Sequence, residues 1–194
     1  MSLAFFDFDG TLTSRDTILS LGLNLAGLRP NRCQKTILML LMFALLKSRL
    51  ITNDFFKRSF CRVLLTGKSE SEIATRCQQF IDQCIPPLIN PSVLERLKRH
   101  VRQGDDVYLV SSNFSFMLQL LPSNWGMSGV FGTEAELEFG RFTGKLLGPV
   151  CNAQEKLRRL LERFGRDAVK EATAYGDSRG DRQLLAFVRV PRWI

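Results

Sequence analysis

Two aspartates placed two residues apart are the feature of this chain best suited to chemistry. Asp7 and Asp9 lie in FFDFDGTLT at 5–13, where an apolar run ends in Gly and Thr. Side chains two apart on a strand share a face, so a strand ending here aims both carboxylates at one point. Asp-Gly is also a common hairpin turn, but residues 11–28 show no clear partner strand. The segment therefore predicts a buried strand that carries a pair of acids at its carboxyl end.

Further polar groups follow later predicted strands or begin a later helix. In an open α/β sheet the carboxyl ends of the strands form the edge where ligands bind. Each group also has an ordinary interpretation, because Ser commonly caps helices and Lys is commonly solvated. The groups and their segments are Ser111 and Ser112 in VYLVSS, Lys156 in NAQEKLRR, and Asp177 and Asp181 in AYGDSRGD.

The four aspartates together indicate a magnesium site. A cluster of carboxylates at one sheet edge is electrostatically costly unless a cation lies among them. Carboxylate oxygens with open coordination positions suit Mg²⁺.

The five cysteines form no CxxC pair, and we expect reduced, buried thiols and no zinc site. The one histidine, His100, lies in a basic helical run and is expected on the surface, so a Ser-His-Asp mechanism has little support.

The elements that position these groups fall into two parts. At 194 residues, 45% hydrophobic and 24% charged, the chain has the composition of an ordinary globular protein, large enough for one core plus a small insert. Residues 15–90 contain helical windows at 17–28, 33–48, 52–66 and 69–84, although the leucines of the first window also alternate as in a strand. We predict a helical cap domain at 15–90 and a core domain at 1–14 and 91–194.

The core segment alternates strands and helices, with one hairpin over 136–147. Such alternation predicts an α/β fold with a parallel sheet and helices on both faces, which the first strand joins across the insert. The final segment FVRVPRWI is short, so we expect the last strands to be missing or reduced. Packing of Trp193 and Ile194 back onto the core is a further expectation.

The net charge of +8 is concentrated in the insert, where eleven basic residues face five acidic ones. The apolar run 37–46 is ten residues long, whereas a bilayer-spanning helix takes roughly 20. Two interpretations of this run stay open: it is the centre of the helical bundle, which we favour, or an interfacial helix at an anionic membrane. The basic residues that flank it are Arg32, Lys35, Lys47 and Arg49.

The order of the motifs resembles the haloacid dehalogenase (HAD) superfamily over nearly the whole chain. The motifs are DxDGT after the first strand, a hydrophobic residue and Ser after a later strand, a Lys in a helix, and GDSxxD. The helical insert and the run TGKLLGPVCNAQEK are similar to subfamily IB, which includes phosphoserine phosphatases. The resemblance implies a Rossmann-like HAD core with an all-helical cap inserted after the first strand.

The resemblance also implies a mechanism. Asp7 would be the nucleophile that forms an aspartyl-phosphate, and Asp9 the general acid for the leaving alcohol and then the base for water. Asp7 held against a cation stays ionised, whereas Asp9, turned from the metal, keeps a proton. The other implied roles are Mg²⁺ ligation by Asp7, Asp9 (through its backbone carbonyl), Asp177 and Asp181, and phosphate binding by Ser111, Ser112 and Lys156.

The resemblance leaves the substrate open. Asp16 lies where phosphoserine phosphatases have an acidic residue for the substrate amine, so it either binds an amine or only caps a helix. Phe56 and Phe60 align with a Glu and a carboxylate-binding Arg of those enzymes, with Arg58 or Arg62 as substitutes. Another branch of the subfamily, resembling phosphatidylglycerophosphatase C, acts on a lipid phosphate at the membrane.

The sequence thus predicts a Mg²⁺-dependent phosphatase for a phosphorylated small molecule or a lipid phosphate. The alternatives are a phosphoserine-type metabolite phosphatase, a phosphotransferase, and a non-catalytic protein that binds anionic surfaces. The N-terminus runs straight into a strand, which predicts no secretory signal. We therefore expect a cytoplasmic location, with peripheral contact to the inner membrane face as an open alternative, and no nucleic-acid partner.

Overall fold

The architecture is an α/β sheet with a helical insert. A computed structural model describes residues 2–27, 33–121 and 123–194, without the side chains of Cys33 and Asn124. The strands are β1 (Leu3–Phe6), β2 (Asp106–Phe114), β3 (Gly129–Thr133), β4 (Ala135–Glu138), β5 (Arg141–Leu146), β6 (Thr173–Gly176) and β7 (Val190–Trp193). The helices are α1 (Ile18–Ala26), α2 (Cys33–Lys47), α3 (Asn53–Phe60), α4 (Glu70–Cys84), α5 (Pro91–Arg102), α6 (Ser115–Leu118), α7 (Gln154–Phe164), α8 (Arg166–Lys170) and α9 (Arg182–Phe187).

Within these ranges five strands form one parallel sheet in the order β3-β2-β1-β6-β7. The central strand β1 is apolar on both faces: Phe5 packs into one hydrophobic cluster and Phe6 into another. A strand buried on both sides is expected where helices cover both faces of a parallel sheet. The predicted α/β class, with helices on both faces of the sheet, is confirmed.

The two ends of the insert are joined by main-chain hydrogen bonds, and we call this junction the paired neck. The Ser14 amide donates to the Leu88 carbonyl at 2.7 Å, and the Asn90 amide donates to the Leu12 carbonyl at 2.8 Å. Between these points the chain forms α1 to α4, so the alternating leucines of the first window belong to a helix. The Arg29-Pro30-Asn31 break after that window, and Arg32, lie outside the described residues.

The hairpin predicted over 136–147 is present as the antiparallel pair β4–β5. It is joined to the insert by main-chain hydrogen bonds. The Gly67 amide donates to the Phe142 carbonyl, and the Phe142 amide donates to the Lys68 carbonyl, each at 2.9 Å. The Glu70 amide donates to the Gly140 carbonyl at 3.0 Å. The insert is therefore held at its neck and along the hairpin.

Three expectations are corrected by the structure. The sheet ends in a short strand, β7, but Trp193 and Ile194 do not pack back: they are 55% and 40% exposed, since β7 is an edge strand. His100 is partly buried because its Nδ1 lies 2.7 Å from Asp105 Oδ2 and its Nε2 lies 3.1 Å from the Tyr175 hydroxyl. These partners satisfy both ring nitrogens away from bulk water.

The third correction concerns α2. Met39 and Met42 are buried, as a bundle centre requires, but Ile37 and Leu41 on the opposite face are 64% and 56% exposed. We call Ile37, Leu38, Leu40 and Leu41 the outer face of α2. The helix is apolar all round, so its hydrophobic pattern alone could not tell which side is covered. No helix in the described ranges is both long enough and apolar enough to cross a membrane.

Candidate active site

An open cleft of about 490 Å³ lies at the carboxyl ends of β1, β2 and β6. The sheet edge and the insert both contribute to its walls. The residues that line it are Asp7, Asp9, Gly10, Ser14, Arg15, Asp16, Ile18, Leu46, Lys47, Asn53, Lys57, Ser112, Asn152, Lys156, Asp177, Ser178, Arg179 and Gly180. Ligands bind at this edge in open α/β sheets because loops and helix starts converge there.

A buried ion-pair network forms the floor of the cleft. Lys156 Nζ lies 2.9 Å from Asp7 Oδ1 and 2.6 Å from Asp181 Oδ1, and all three side chains are buried. Burial raises the pKa of Asp7 to about 7, with Asp181 acting in the same direction and Lys156 opposing it. Burial alone would lower the pKa of Lys156, but the two carboxylates raise it above its ordinary value. One lysine thus offsets part of a larger negative charge.

Asp7, Asp177 and Asp181 form a group able to hold a metal ion. Each offers a carboxylate oxygen, and these oxygens lie within 4.8 Å of one another. Burial raises the pKa of Asp177, while a hydrogen bond from Thr11 Oγ1, 3.1 Å away, opposes the rise. Oxygen ligands from a few carboxylates, open to a cleft, suit Mg²⁺. The residues present therefore fit the predicted cation.

Asp9 faces a different environment. Its Oδ1 accepts from the Thr17 amide at 2.8 Å and the Thr17 hydroxyl at 2.6 Å. Its Oδ2 accepts from Asn113 Nδ2 at 3.0 Å. Burial raises the pKa of Asp9, and Asp16 adds to the rise. The two acids of the DxD motif are therefore unequal: Asp7 lies with the metal-binding group, and the carboxylate of Asp9 is held apart from it.

Gly10 makes this arrangement sterically possible. Its φ is +82°, in the left-handed region that favours glycine. A Cβ at this position would lie 2.2 Å from Asp177 Oδ2. The turn after β1 therefore brings the backbone directly against the side chain of Asp177.

The predicted phosphate-binding residues are placed at two depths. Ser112 lines the cleft, whereas Ser111 is buried and its hydroxyl accepts from the Asn113 amide at 3.1 Å. Asp16 lies at the cleft wall, where its Oδ2 is 3.0 Å from Lys47 Nζ. Its Oδ1 accepts from the Ile18 amide at 3.1 Å, so Asp16 caps the start of α1. The sequence left open whether this acid binds an amine or caps a helix, and the cap is present.

Comparison with known proteins shows the family of this chain. A family model described as haloacid dehalogenase-like hydrolase matches residues 4–186. The chain belongs to this family. The phosphoserine phosphatase SerB1 of Mycobacterium tuberculosis is 29% identical over 193 residues, which cover 95% of this chain and 62% of SerB1. The protein CicA of Caulobacter vibrioides is 28% identical over 187 residues, which cover 95% of this chain and 82% of CicA.

Two solved structures share the fold of this chain. A Bordetella pertussis protein of unknown function superimposes with a TM-score of 0.87 at 22% identity, covering 98% of this chain and 88% of its own. A substrate-bound phosphoserine phosphatase superimposes with a TM-score of 0.69 at 16% identity, covering 98% of this chain and 84% of the phosphatase chain. The recognition of a HAD-type chain and its fold class are confirmed.

Two residues in or beside the cleft of this HAD-like chain are not among the predicted site residues. Asn113 follows the predicted serines, and its side chain bridges Asp9 and the Thr17 hydroxyl, both at 3.0 Å. Lys57 comes from α3 in the insert and lines the cleft. One signal for Lys57 was present: it lies three and four residues before Phe60 and Cys61, on a helix face that is otherwise apolar and buried.

Proposed function

We propose that this chain is a Mg²⁺-dependent phosphatase that hydrolyses a phosphate monoester through an aspartyl-phosphate at Asp7. One observation carries the proposal: Asp7 lies at the floor of an open cleft, beside Lys156 and grouped with two further carboxylates. The second acid of the motif is held nearby by neutral donors. A nucleophile near a cation and a separate proton carrier are what phosphoryl transfer through a carboxylate requires.

In the first step a carboxylate oxygen of Asp7 attacks phosphorus, and the bond from phosphorus to the leaving oxygen breaks. Asp9 gives its proton to that oxygen, so the product leaves as an alcohol. The raised pKa of Asp9, caused first by burial, favours the protonated form that this role needs.

In the second step water attacks the phosphorus of the phosphorylated Asp7. Asp9 takes the proton of the water, inorganic phosphate leaves, and both acids return to their starting states. Lys156 and Ser112 hold phosphoryl oxygens, and Ser111 supports that segment from below. Asp7 and Asp177, with Asp181 behind them and the Asp9 carbonyl, would hold Mg²⁺, which would supply positive charge to the transferring group.

The insert at 15–90 would act as the cap that closes the cleft and selects the substrate. We propose a phosphorylated small molecule as the substrate, as the similarity to phosphoserine phosphatases suggests. Phe56 and Phe60, which align with the substrate-binding Glu and Arg of phosphoserine phosphatases, are buried in the core. Arg58 pairs with Asp54 on the surface at 2.7 Å. The acid Asp16 is already paired with Lys47. Phosphoserine would therefore lack the contacts implied by the resemblance.

The test is hydrolysis of p-nitrophenyl phosphate with and without Mg²⁺ by wild-type protein and by Asp7→Asn. We expect the wild type to be active only with Mg²⁺, and the variant to lose at least 1000-fold in kcat, since the nucleophile is removed. Asp82→Asn, a change at an exposed acid, is the matched control and should be unaffected. Unchanged Mg²⁺-dependent activity in Asp7→Asn would refute the proposal. Transfer of phosphate to added alcohols would instead identify a phosphotransferase.

The outer face of α2 favours a second candidate, a phosphatase for a lipid phosphate at an anionic bilayer. Exposed apolar patches of this kind mark interaction sites. Lys47, at the carboxyl end of the same helix, lines the cleft, and Arg49 is exposed beyond it. Apolar residues next to cations match the interface of an anionic membrane. Contact there would place the cleft mouth beside lipid headgroups and the protein at the inner membrane face.

Vesicle flotation tests this candidate. We expect the protein to float with phosphatidylglycerol vesicles and not with phosphatidylcholine vesicles, because both apolar burial and charge contribute. Changing Ile37 and Leu41 together to Ser should abolish flotation, whereas changing the buried Met42 to Leu should not. A concentration-dependent dimer that the same double change dissociates, without flotation, would assign the face to a second copy. Flotation without hydrolysis across a panel of phosphate esters would indicate a non-catalytic binding protein.

A further inference from the structure

Lys57 is a buried cation in the wall of the cleft. The residue is 2% exposed and lies between buried aromatic neighbours on α3, Phe56 and Phe60. Its Nζ lies 4.6 Å from the centre of the Phe114 ring. The attraction between a cation and an aromatic face offsets only part of the hydration free energy that the ammonium group loses on burial.

The ammonium group of Lys57 has no hydrogen-bond or ion-pair partner in the described part of the chain. The other lysines of the cleft are paired: Lys156 with Asp7 and Asp181, and Lys47 with Asp16. No side-chain nitrogen or oxygen in the described residues is both fully buried and unpartnered, so Lys57 Nζ must open onto the cleft. Burial lowers the pKa of Lys57 to about 8, against the attraction of Asp9 and Asp16, which raises it.

We infer that Lys57 binds a second anionic group of the substrate, a carboxylate or a second phosphate on the part that leaves as the alcohol. A buried, unpaired ammonium group at a cleft wall is costly unless a ligand supplies the missing charge. A phosphate held at Asp7 and Lys156 would have its organic part in the rest of the cleft, where Lys57 lies in the wall that the insert contributes. This inference rests on the proposed phosphatase function and names its substrate class.

The same geometry argues against a substrate ammonium group. The acid on the insert side of the cleft, Asp16, is neutralised by Lys47 and also caps α1. The Asp9 carboxylate is occupied by Thr17 and Asn113. Among the described residues on this side of the cleft, the organic part of the substrate therefore meets a free cation and no free anion, together with the apolar side chains of Ile18 and Leu46. Phosphorylated hydroxy acids and bisphosphates fit this wall better than phosphoserine.

The experiment compares four propyl compounds that differ only at the carbon distant from the phosphate. They are propyl phosphate, 3-phosphooxypropanoate, propane-1,3-diyl bisphosphate and 3-aminopropyl phosphate. For the wild type we expect kcat/KM for the carboxylate or the bisphosphate to exceed that for propyl phosphate by about 10- to 100-fold, as for one charge-assisted contact. The amine should be the poorest substrate. Whichever anionic compound is better decides between carboxylate and phosphate.

Lys57→Met should remove that preference, mainly by raising KM for the carboxylate and the bisphosphate towards KM for propyl phosphate. Lys145→Met, a change at an exposed lysine, is the matched control and should keep the preference. The melting temperature of Lys57→Met should be unchanged or higher, because an unpaired buried charge is replaced by an apolar chain of similar length. A purely structural lysine would instead show a lower melting temperature and an unchanged ranking of the four compounds.

A binding measurement separates this inference from the proposed function. In Asp7→Asn protein, calorimetric titration should show tighter binding of the anionic compounds than of propyl phosphate, and the added Lys57→Met change should abolish the difference. Absence of hydrolysis with this binding pattern retained would refute the phosphatase and support the Lys57 subsite. If protein carrying Lys57 bound or hydrolysed propyl phosphate as well as the carboxylate and the bisphosphate, the inference would be overturned.

Discussion

At the scale of single residues, charge balance dominates the site. Two buried carboxylates, those of Asp7 and Asp181, and the more exposed carboxylate of Asp177 lie close to one buried lysine, Lys156. Burial raises the pKa of both Asp7 and Asp177, which shows that the charged forms lack full compensation. A divalent cation among these oxygens would supply it. Metal binding and folding stability should therefore be coupled.

We expect Mg²⁺ to raise the melting temperature. At a hundred times the Kd the gain is about 2.7 kcal/mol, which is about 5–10 °C for a chain of this size. Gly10→Ala should remove most of this shift, because its Cβ would displace the Asp177 carboxylate. Gly165→Ala is the matched control: it has φ +80° but no atom near the added Cβ. Thermal melts with Mg²⁺ and with EDTA measure the shift in melting temperature for each variant. A shift in Gly10→Ala equal to that of the wild type would contradict the coupling.

The residues that could be predicted from sequence are those whose position follows from strand ends. Asp7, Ser112 and Asp177 each come directly after a strand or within its last residues, and parallel strands bring such positions to one edge. Lys57 could not be assigned in this way, because it lies on α3 in the insert. Its role depends on how the insert packs over the sheet, which is a long-range property that no local motif records.

At the scale of elements, α7 does more than carry Lys156. Glu155 on its first turn lies 2.7 Å from both Arg158 and Arg159. Arg159 in turn donates to the Gly132 carbonyl at 2.7 Å and the Pro149 carbonyl at 2.8 Å. Glu155 thereby orients an arginine that joins α7 to β3 and to the segment after the hairpin.

Glu155→Gln should lower the free energy of unfolding by about 1–2 kcal/mol at pH 7, as for loss of a charge-assisted hydrogen bond. Hydrogen bonds from Arg158 lower the pKa of Glu155 from 4.5 to about 2. Since the folded state holds the ionised form, this contribution is present above about pH 4.5 and is lost as the pH falls towards 2. Urea titrations from pH 7 to 3 measure it. Glu162→Gln, which changes another partner of Arg158, should have a smaller effect because Glu162 is exposed. A pH-independent difference between wild type and Glu155→Gln would contradict the assignment.

The elements also show where sequence patterns lose information. The windows for α1 to α4, the hairpin and the alternation that gives a parallel sheet were predicted, because periodicity and turn residues are local. The exposure of α2 was not, because Ile37 and Met39 look equally apolar in sequence and only the packing of neighbouring helices distinguishes them. The exposed Trp193 was misjudged for the same reason: an aromatic residue at the end of a short strand has no periodic signal for its face.

At the scale of the whole molecule, insert and sheet share one hydrophobic core. A single cluster runs from Phe6 and Leu109 of the sheet to Phe60 and Cys77 of the insert. The Phe60 and Phe114 ring centres lie 4.9 Å apart across this junction. The paired neck and the main-chain bonds from the hairpin reinforce the contact. Insert and sheet should therefore unfold together, and closure of the cleft over a substrate should use small adjustments within this packed contact.

Denaturation monitored by two probes tests this cooperativity. Far-UV circular dichroism reports largely on the helices, many of which belong to the insert, and fluorescence of the buried Trp125 reports on the core, with the exposed Trp193 changed to Phe. The two urea transitions should coincide, as in two-state unfolding. Phe60→Ala should lower the free energy of unfolding measured by each probe by the same amount, about 3–5 kcal/mol, since it removes a buried ring shared by the insert and the sheet. If the insert unfolded independently, Phe60→Ala would move the dichroism transition and leave the Trp125 transition in place.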